Sequence, residues 1–188
     1  SNELIRLQKH WQKIGPAPQH LEQKLWRSFR SACNEFFDSR KALIEEKIHL
    51  VRALKKNGLL VLNHEDKEVL ALKHLFTYDT LTFGAVERAD ISLTGAHVEY
   101  DKDGLPIGMF GKIVSRENTL PLHLEGVVGA HMFQSTLAAL VIGVRKGVNI
   151  VKGVEALEHF SFPRGRSRLL SGVRGSIIID DSYNSSPV

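Results

Sequence analysis

Residues 55–66 read Lys55-Lys56-Asn57-Gly58-Leu59-Leu60-Val61-Leu62-Asn63-His64-Glu65-Asp66. Two lysines suit the last turn of a helix, and Asn-Gly is a good helix stop. The apolar run Leu59–Leu62 that follows has the length of a short buried strand, and a polar turn closes it. The stretch therefore separates a helical region from a region of alternating strands and helices.

Upstream of it, apolar residues recur at Leu21, Leu25, Phe29, Cys33 and Phe36, then at Ile44, Ile48 and Val51. Steps of three and four mark one face of a helix. Trp26, Phe37 and Leu43 widen the stripe, and no Gly or Pro interrupts residues 19–56. Such a helix would be about 55 Å long. A shorter stripe, Leu4, Leu7, Trp11 and Ile14, precedes Gly15-Pro16-Ala17-Pro18, which breaks the chain into a turn. The expectation for residues 1–56 is a helical hairpin with unequal arms.

Downstream, Lys67 to Leu75 reads as a helix and Thr80 to Phe83 as a strand stopped by Gly84. Residues 90–124, with the turn Asp101-Lys102-Asp103-Gly104, read as a small antiparallel sheet. Ser135 to Lys146 and Ile150 to Phe160 read as helices, and Ser176 to Ile179 as a strand running into Asp180-Asp181. The fold class expected is α/β, or α+β taken over the whole chain.

Charge divides at the same place. Residues 1–56 carry a net +6 and residues 57–188 a net −2, within a chain total of +4. A basic first third suggests two modules of different origin. With 43 % apolar and 24 % charged residues, a mainly disordered or collagen-like chain is excluded. The single Cys33 excludes an intramolecular disulfide and a tetrathiolate zinc site. No apolar run approaches the roughly 20 residues that span a bilayer. The N-terminus has no signal-peptide core, so a cytoplasmic setting and no membrane partner are expected.

A phosphate loop needs four residues between its glycines and a Ser or Thr after the Lys. Gly108-Met109-Phe110-Gly111-Lys112-Ile113 has neither and reads as a hairpin strand. The nine histidines hold no i, i+4 pair, so no metal site is expected. Cys33, on the helix stripe, reads as a small buried hydrophobe.

Three constellations remain. Gly129-Ala130-His131 opens a helix, whose N-terminus suits an anion or a polar ring; His131 otherwise caps the helix or fills a core edge. Arg164-Gly165-Arg166-Ser167-Arg168 places three guanidinium groups at alternate positions of an extended segment, for phosphate oxygens or as a solvated basic edge. Asp180-Asp181-Ser182-Tyr183-Asn184 follows a strand, where carboxylates accept from ribose hydroxyls, hold a cation or simply cap a loop.

Residues 57–188 resemble the Mur ligase family, ATP-dependent enzymes that build the peptidoglycan stem peptide, and within it the D-alanyl-D-alanine-adding members. The resemblance rests on Gly58 to Asp66, on Thr82-Phe83-Gly84 with Ala89-Asp90-Ile91, and on Gly129-Ala130-His131 with Ala138-Ala139. Gly165-Arg166 and Asp180-Asp181-Ser182-Tyr183-Asn184 complete it, the last being the most specific. It implies a partial central α/β domain and the cofactors ATP and magnesium. His131 would lie near adenine, Arg166 near phosphates and Asp181 near ribose, with Asn63 a further candidate. The family's two helix asparagines are Met132 and Ser135 here. The phosphate loop, the magnesium ligands and the family's carbamylated lysine have no match. The chain reads as beginning midway through the central domain and stopping near the next one. No ligase activity is expected from it alone.

Residues 3–46 resemble the bacterial domain-of-unknown-function family numbered 349. Trp11 to Pro18, Leu25 to Cys33, Phe36-Phe37 and Arg40-Lys41 carry this, and it implies a helical module without established catalysis. The partner readings are therefore a nucleotide, a second copy of the chain on the long helix or an open sheet edge, and nucleic acid on residues 1–56. Interleaved acids such as Glu45-Glu46 favour a solvated helix face over nucleic acid.

Overall fold

A computed structural model describes residues 2–11, 13–14 and 18–184. The chain forms two compact units, residues 1–53 and 54–188. The first holds α1 (Asn2–Trp11) and α2 (Gln19–Arg52). The expected turn at 15–17 lies outside the described residues. At 1.5 Å per residue, the 34 residues of α2 span about 51 Å. The two helices meet through aromatic rings. Trp11 stacks on Phe29 at 4.4 Å, and Trp26 sits tilted 6.2 Å from Trp11 and 6.3 Å from Phe29.

α2 ends at Arg52, short of the lysines that suggested its last turn. The Ala53 N–H closes onto the His49 and Leu50 carbonyls, and the Leu54 carbonyl accepts from the Tyr78 hydroxyl at 3.2 Å. That carbonyl lies beyond the helix and is satisfied there. Gly58 does not stop the helix, but glycine is needed there for a steric reason. A Cβ there would lie 2.9 Å from the Lys55 carbonyl oxygen and deep inside the Leu54 side chain.

The second unit is built on a five-stranded sheet with its strands in chain order. They are β1 (Leu59–Asn63), β2 (Asp79–Gly84), β3 (Ile91–Tyr100), β4 (Pro106–Val114) and β5 (Thr119–Glu125). β1, β2 and β3 run parallel, and β3, β4 and β5 antiparallel. The expected antiparallel sheet is thus continuous with the parallel strands through β3. The crossover between β1 and β2 is α3 (Lys67–Leu75), capped by Asp66, whose carboxylate accepts from the Glu68 and Val69 N–H groups at 3.1 Å. Asp101 holds the β3–β4 turn in the same way, accepting from Asp103 and Leu105.

α4 (His131–Arg145) and α5 (Ile150–Glu158) follow. Ile113, Leu122 and Leu124 of the sheet are buried with Phe133, Leu137 and Val141 of α4. α4 comes close at Gly111, where a Cβ would lie 2.6 Å from Leu93 and 3.3 Å from the Phe133 ring. α4 starts at His131 rather than Ser135. Met132 and Phe133 N–H groups close its first turn on Gly129 and Ala130, and both side chains are buried. Glu158, the last residue of α5, accepts at 3.1 Å from the His123 N–H on the outer edge of β5.

One strand pairing was left open and one expectation needs correction. The strand β7 (Ile177–Asp180) stands apart from the five-stranded sheet. It pairs antiparallel with β6 (Arg168–Ser171), a strand too short to be marked by periodicity. The Arg164–Arg168 segment is not extended with its arginines on one side. Gly165 has φ +73° and Ser167 φ +49°, so the segment is a tight turn.

Candidate functional site

Three separate segments meet at that turn. The Gly165 N–H donates to Asp180 Oδ2 at 3.0 Å, and the Gly165 carbonyl accepts from the Tyr183 N–H at 3.1 Å. The Ser167 N–H donates to Asp181 Oδ1 at 3.0 Å, and its carbonyl accepts from Val128 at 3.0 Å. Its hydroxyl lies 3.1 Å from His131 Nε2. Ser167 is buried, and all its polar groups are engaged. Those bonds hold a non-glycine residue in the left-handed region, which costs about 1–2 kcal/mol.

The strand end is equally tied. Asp180 Oδ1 accepts from the Ser182 hydroxyl at 2.6 Å and from its N–H at 3.3 Å. The Ser182 hydroxyl, then the Gly165 N–H, with a smaller contribution from the Arg168 charge, hold the Asp180 carboxyl below its ordinary range. Asp180 is therefore the structural member of the pair, and Asp181 faces the site.

His131, Arg166 and Asp181 line one concavity of about 700 Å³. Met132 and Ser135 of α4 line it too, and Phe160, Phe162 and Pro163 form another wall. The His131 ring lies over Gly129, where φ is +107° and a Cβ would meet the ring at 2.6 Å. Position 129 therefore needs glycine. The Arg166 guanidinium sits 4.2 Å over the centre of the Tyr183 ring, which holds it at the mouth of the site. His131 opens α4 and lines the concavity, but it neither caps the helix nor fills a core edge. It is exposed and tied to Ser167, and α4 has no side-chain cap.

Asn63 is not among the residues lining the concavity. It ends β1, where its Oδ1 accepts from the Glu65 N–H at 2.9 Å, and Glu65 in turn accepts from Ala85. Sequence reasoning quoted Ser167 and Tyr183 within their motifs but gave them no role, and it missed the phenylalanine wall. The signal for the wall was an aromatic-Ser-aromatic-Pro run just past a helix end.

The donor set fits parts of a nucleotide: a guanidinium for phosphate, a carboxylate for ribose hydroxyls and an apolar wall for a base. It does not make a magnesium site. Among the described residues no group of three or more His, Cys, Asp or Glu side chains could hold a metal ion, and no described helix is long and apolar enough to cross a membrane.

The second unit is thus a mixed α/β domain in which a helix start, a glycine turn and the end of β7 converge on one cleft. The Mur ligase middle domain matches residues 25–143, more than half of the chain, and the chain belongs to that family. The match begins inside α2, ahead of Asn57, and stops before Gly165-Arg166 and Asp180–Asn184. A UDP-N-acetylmuramoyl-tripeptide–D-alanyl-D-alanine ligase of Mycobacterium leprae is 26 % identical over 161 residues, 80 % of this chain and 30 % of that protein.

Two solved structures share the fold. MurF ligase of Thermotoga maritima, in complex with ADP, has a TM-score of 0.66 at 21 % identity, over 80 % of this chain and 33 % of its own. The corresponding ligase of Acinetobacter baumannii has a TM-score of 0.65 at 19 % identity, over 78 % and 31 %. The chain thus spans about a third of the length of these proteins. The resemblance of residues 3–46 to family 349 gains no support from the comparisons.

Proposed function

We propose that the chain is a Mur-ligase-type piece, related to the D-Ala-D-Ala-adding enzymes, that holds a nucleotide in the concavity beside α4 and does not ligate by itself. One observation carries this: His131, Arg166 and Asp181, from three separate segments, line the same 700 Å³ space. In this reading Arg166 pairs with phosphate oxygens, Asp181 accepts from ribose and the phenylalanine wall takes the base. ATP is the nucleotide that the family uses. Magnesium would arrive with the phosphates, since the described residues supply no site for it. The working place of such a piece is the cytoplasm.

Calorimetric titration with ATP and magnesium tests it. Heat of binding is expected, and Arg166→Ala should weaken it about 10–100-fold, the weight of a charged hydrogen-bonding pair. No heat at millimolar nucleotide removes the proposal. Amide formation from UDP-MurNAc-tripeptide and D-Ala-D-Ala by the purified chain would overturn the non-catalytic half.

A further inference from the structure

We propose that the outer edge of β1 is a docking surface for β1 of a second copy of the chain, paired antiparallel across a two-fold axis. The five-stranded sheet has two edges, β1 and β5, and they are built differently. β5 is guarded. It carries Pro121, which has no N–H to offer, and its His123 N–H is engaged by Glu158 of α5. These two positions are two residues apart, so both face the same outer side of the strand.

β1 has no such guard. Its ladder runs to β2, from Leu59 opposite Asp79 to Asn63 opposite Phe83, without a bulge. Every second residue of a strand turns its N–H and C=O to the other side. Among the described residues, nothing hydrogen-bonds to those outward backbone groups of Leu59–Asn63. The strand Leu59-Leu60-Val61-Leu62-Asn63 holds no charge and no proline. An edge of this kind takes another strand.

The flanking charges select the occupant. Lys55-Lys56 precede the strand and Glu65-Asp66 follow it. Lys55, Lys56 and Glu65 are exposed and Asp66 is half-buried. Read end for end, the stretch complements itself: basic, apolar, acidic against acidic, apolar, basic. An antiparallel pair centred on Val61 sets Leu60 opposite the partner's Leu62, which continues the buried apolar face across the seam. It also brings the lysines of each copy beside the acids of the other at both ends. Parallel pairing would set lysine against lysine and acid against acid. Lys67 already belongs to α3 and leaves the line of the strand. The pairing closes at two copies, because it uses both β1 edges and the β5 edges are guarded.

Sedimentation of the full chain over a range of concentrations tests this, with hydrogen exchange to locate the contact. A monomer–dimer equilibrium is expected, and amides of residues 59–63 should gain protection as the dimer forms. Lys56→Glu, at an exposed turn, should weaken the dimer about tenfold, since the two-fold axis turns one charge reversal into two like-charge contacts. Adding Glu65→Lys to Lys56→Glu restores the complement and should return the dissociation constant to within about threefold of wild type. A strict monomer at several hundred micromolar overturns the proposal. So does a dimer whose added protection falls on α2 and not on residues 59–63, or growth past two copies. Equal affinity of wild type and Lys56→Glu overturns it too.

Discussion

The two units show equally clear apolar periodicity and use it differently. In the α/β unit, Ile113, Leu122, Leu124, Phe133, Leu137 and Val141 are all nearly inaccessible. In the helical unit, Leu21, Leu25, Trp26 and Phe36 keep 40–45 % of their surface exposed, although Cys33 is buried. The difference is one of available cover. A sheet offers a broad face to two helices, whereas α1, at 10 residues and about 15 Å, is far shorter than the 51 Å of α2. Periodicity tells which side of an element is apolar; it does not tell what lies on it.

The largest expected effect tests this contrast directly. Phe133→Ala should cost about 3–5 kcal/mol in urea unfolding, through lost burial and the cavity left behind. Leu25→Ala, on the exposed stripe, should stay within about 0.5 kcal/mol. Both tryptophans, Trp11 and Trp26, lie in the helical unit, so their emission reports that unit while far-UV circular dichroism reports both. Phe133→Ala is expected to shift the circular dichroism transition and leave the emission transition in place. A core-sized loss in Leu25→Ala breaks the contrast, because it would show that something covers the stripe. Light scattering then says whether a second copy of the chain does so.

A smaller effect is expected within the α/β unit, at the turn that forms the site. Gly165→Ala forces a Cβ to 2.8 Å from the Tyr183 backbone nitrogen in a backbone of φ +73°. Loss of about 2 kcal/mol follows, together with weaker nucleotide binding as Arg166 is displaced. Ser167→Ala keeps the turn's backbone bonds and removes only the bond to His131, at about 1 kcal/mol. If Ser167→Ala costs as much as Gly165→Ala, the turn is held by its side chain rather than by its backbone.

Much of this architecture was legible locally. The β1 strand, the helix after it and the long helix follow from spacing, and His131, Arg166 and Asp181, singled out from their motifs, line one concavity. Asn63 was legible as a strand end but lies outside the concavity. What was not legible depends on partners distant in sequence. Nothing in Ile177-Ile178-Ile179 says that its neighbour is Leu169-Leu170 rather than the parallel sheet. The arginine turn was misread because Ser167 is an L-residue with positive φ. Only the bonds to Val128, His131 and Asp181 make that conformation affordable. The Leu54 carbonyl, past the end of α2, likewise finds its partner in Tyr78, 24 residues further along the chain.

The smallest effect is electrostatic and is confined to one strand end. Asp180 has a folded-state pKa below its unfolded one, chiefly because of the Ser182 hydroxyl and then the Gly165 N–H. A depressed carboxyl stabilises the fold above its unfolded pKa, and that contribution is lost as pH falls through the folded value. The contribution is therefore complete at neutral pH and fades in acid below about pH 5. Asp180→Asn removes the titration but keeps an oxygen for the Gly165 N–H. Wild type should exceed the variant in stability at pH 7, and the gap should close towards pH 2–3. Because Asp180 is only partly buried, added salt should narrow the gap as well. The closing gap should appear in circular dichroism and not in tryptophan emission, since Asp180 belongs to the α/β unit and both indoles to the other. Curves that stay parallel down to acid pH would mean that the bonds to Ser182 and Gly165 position the turn without favouring the ionised carboxylate.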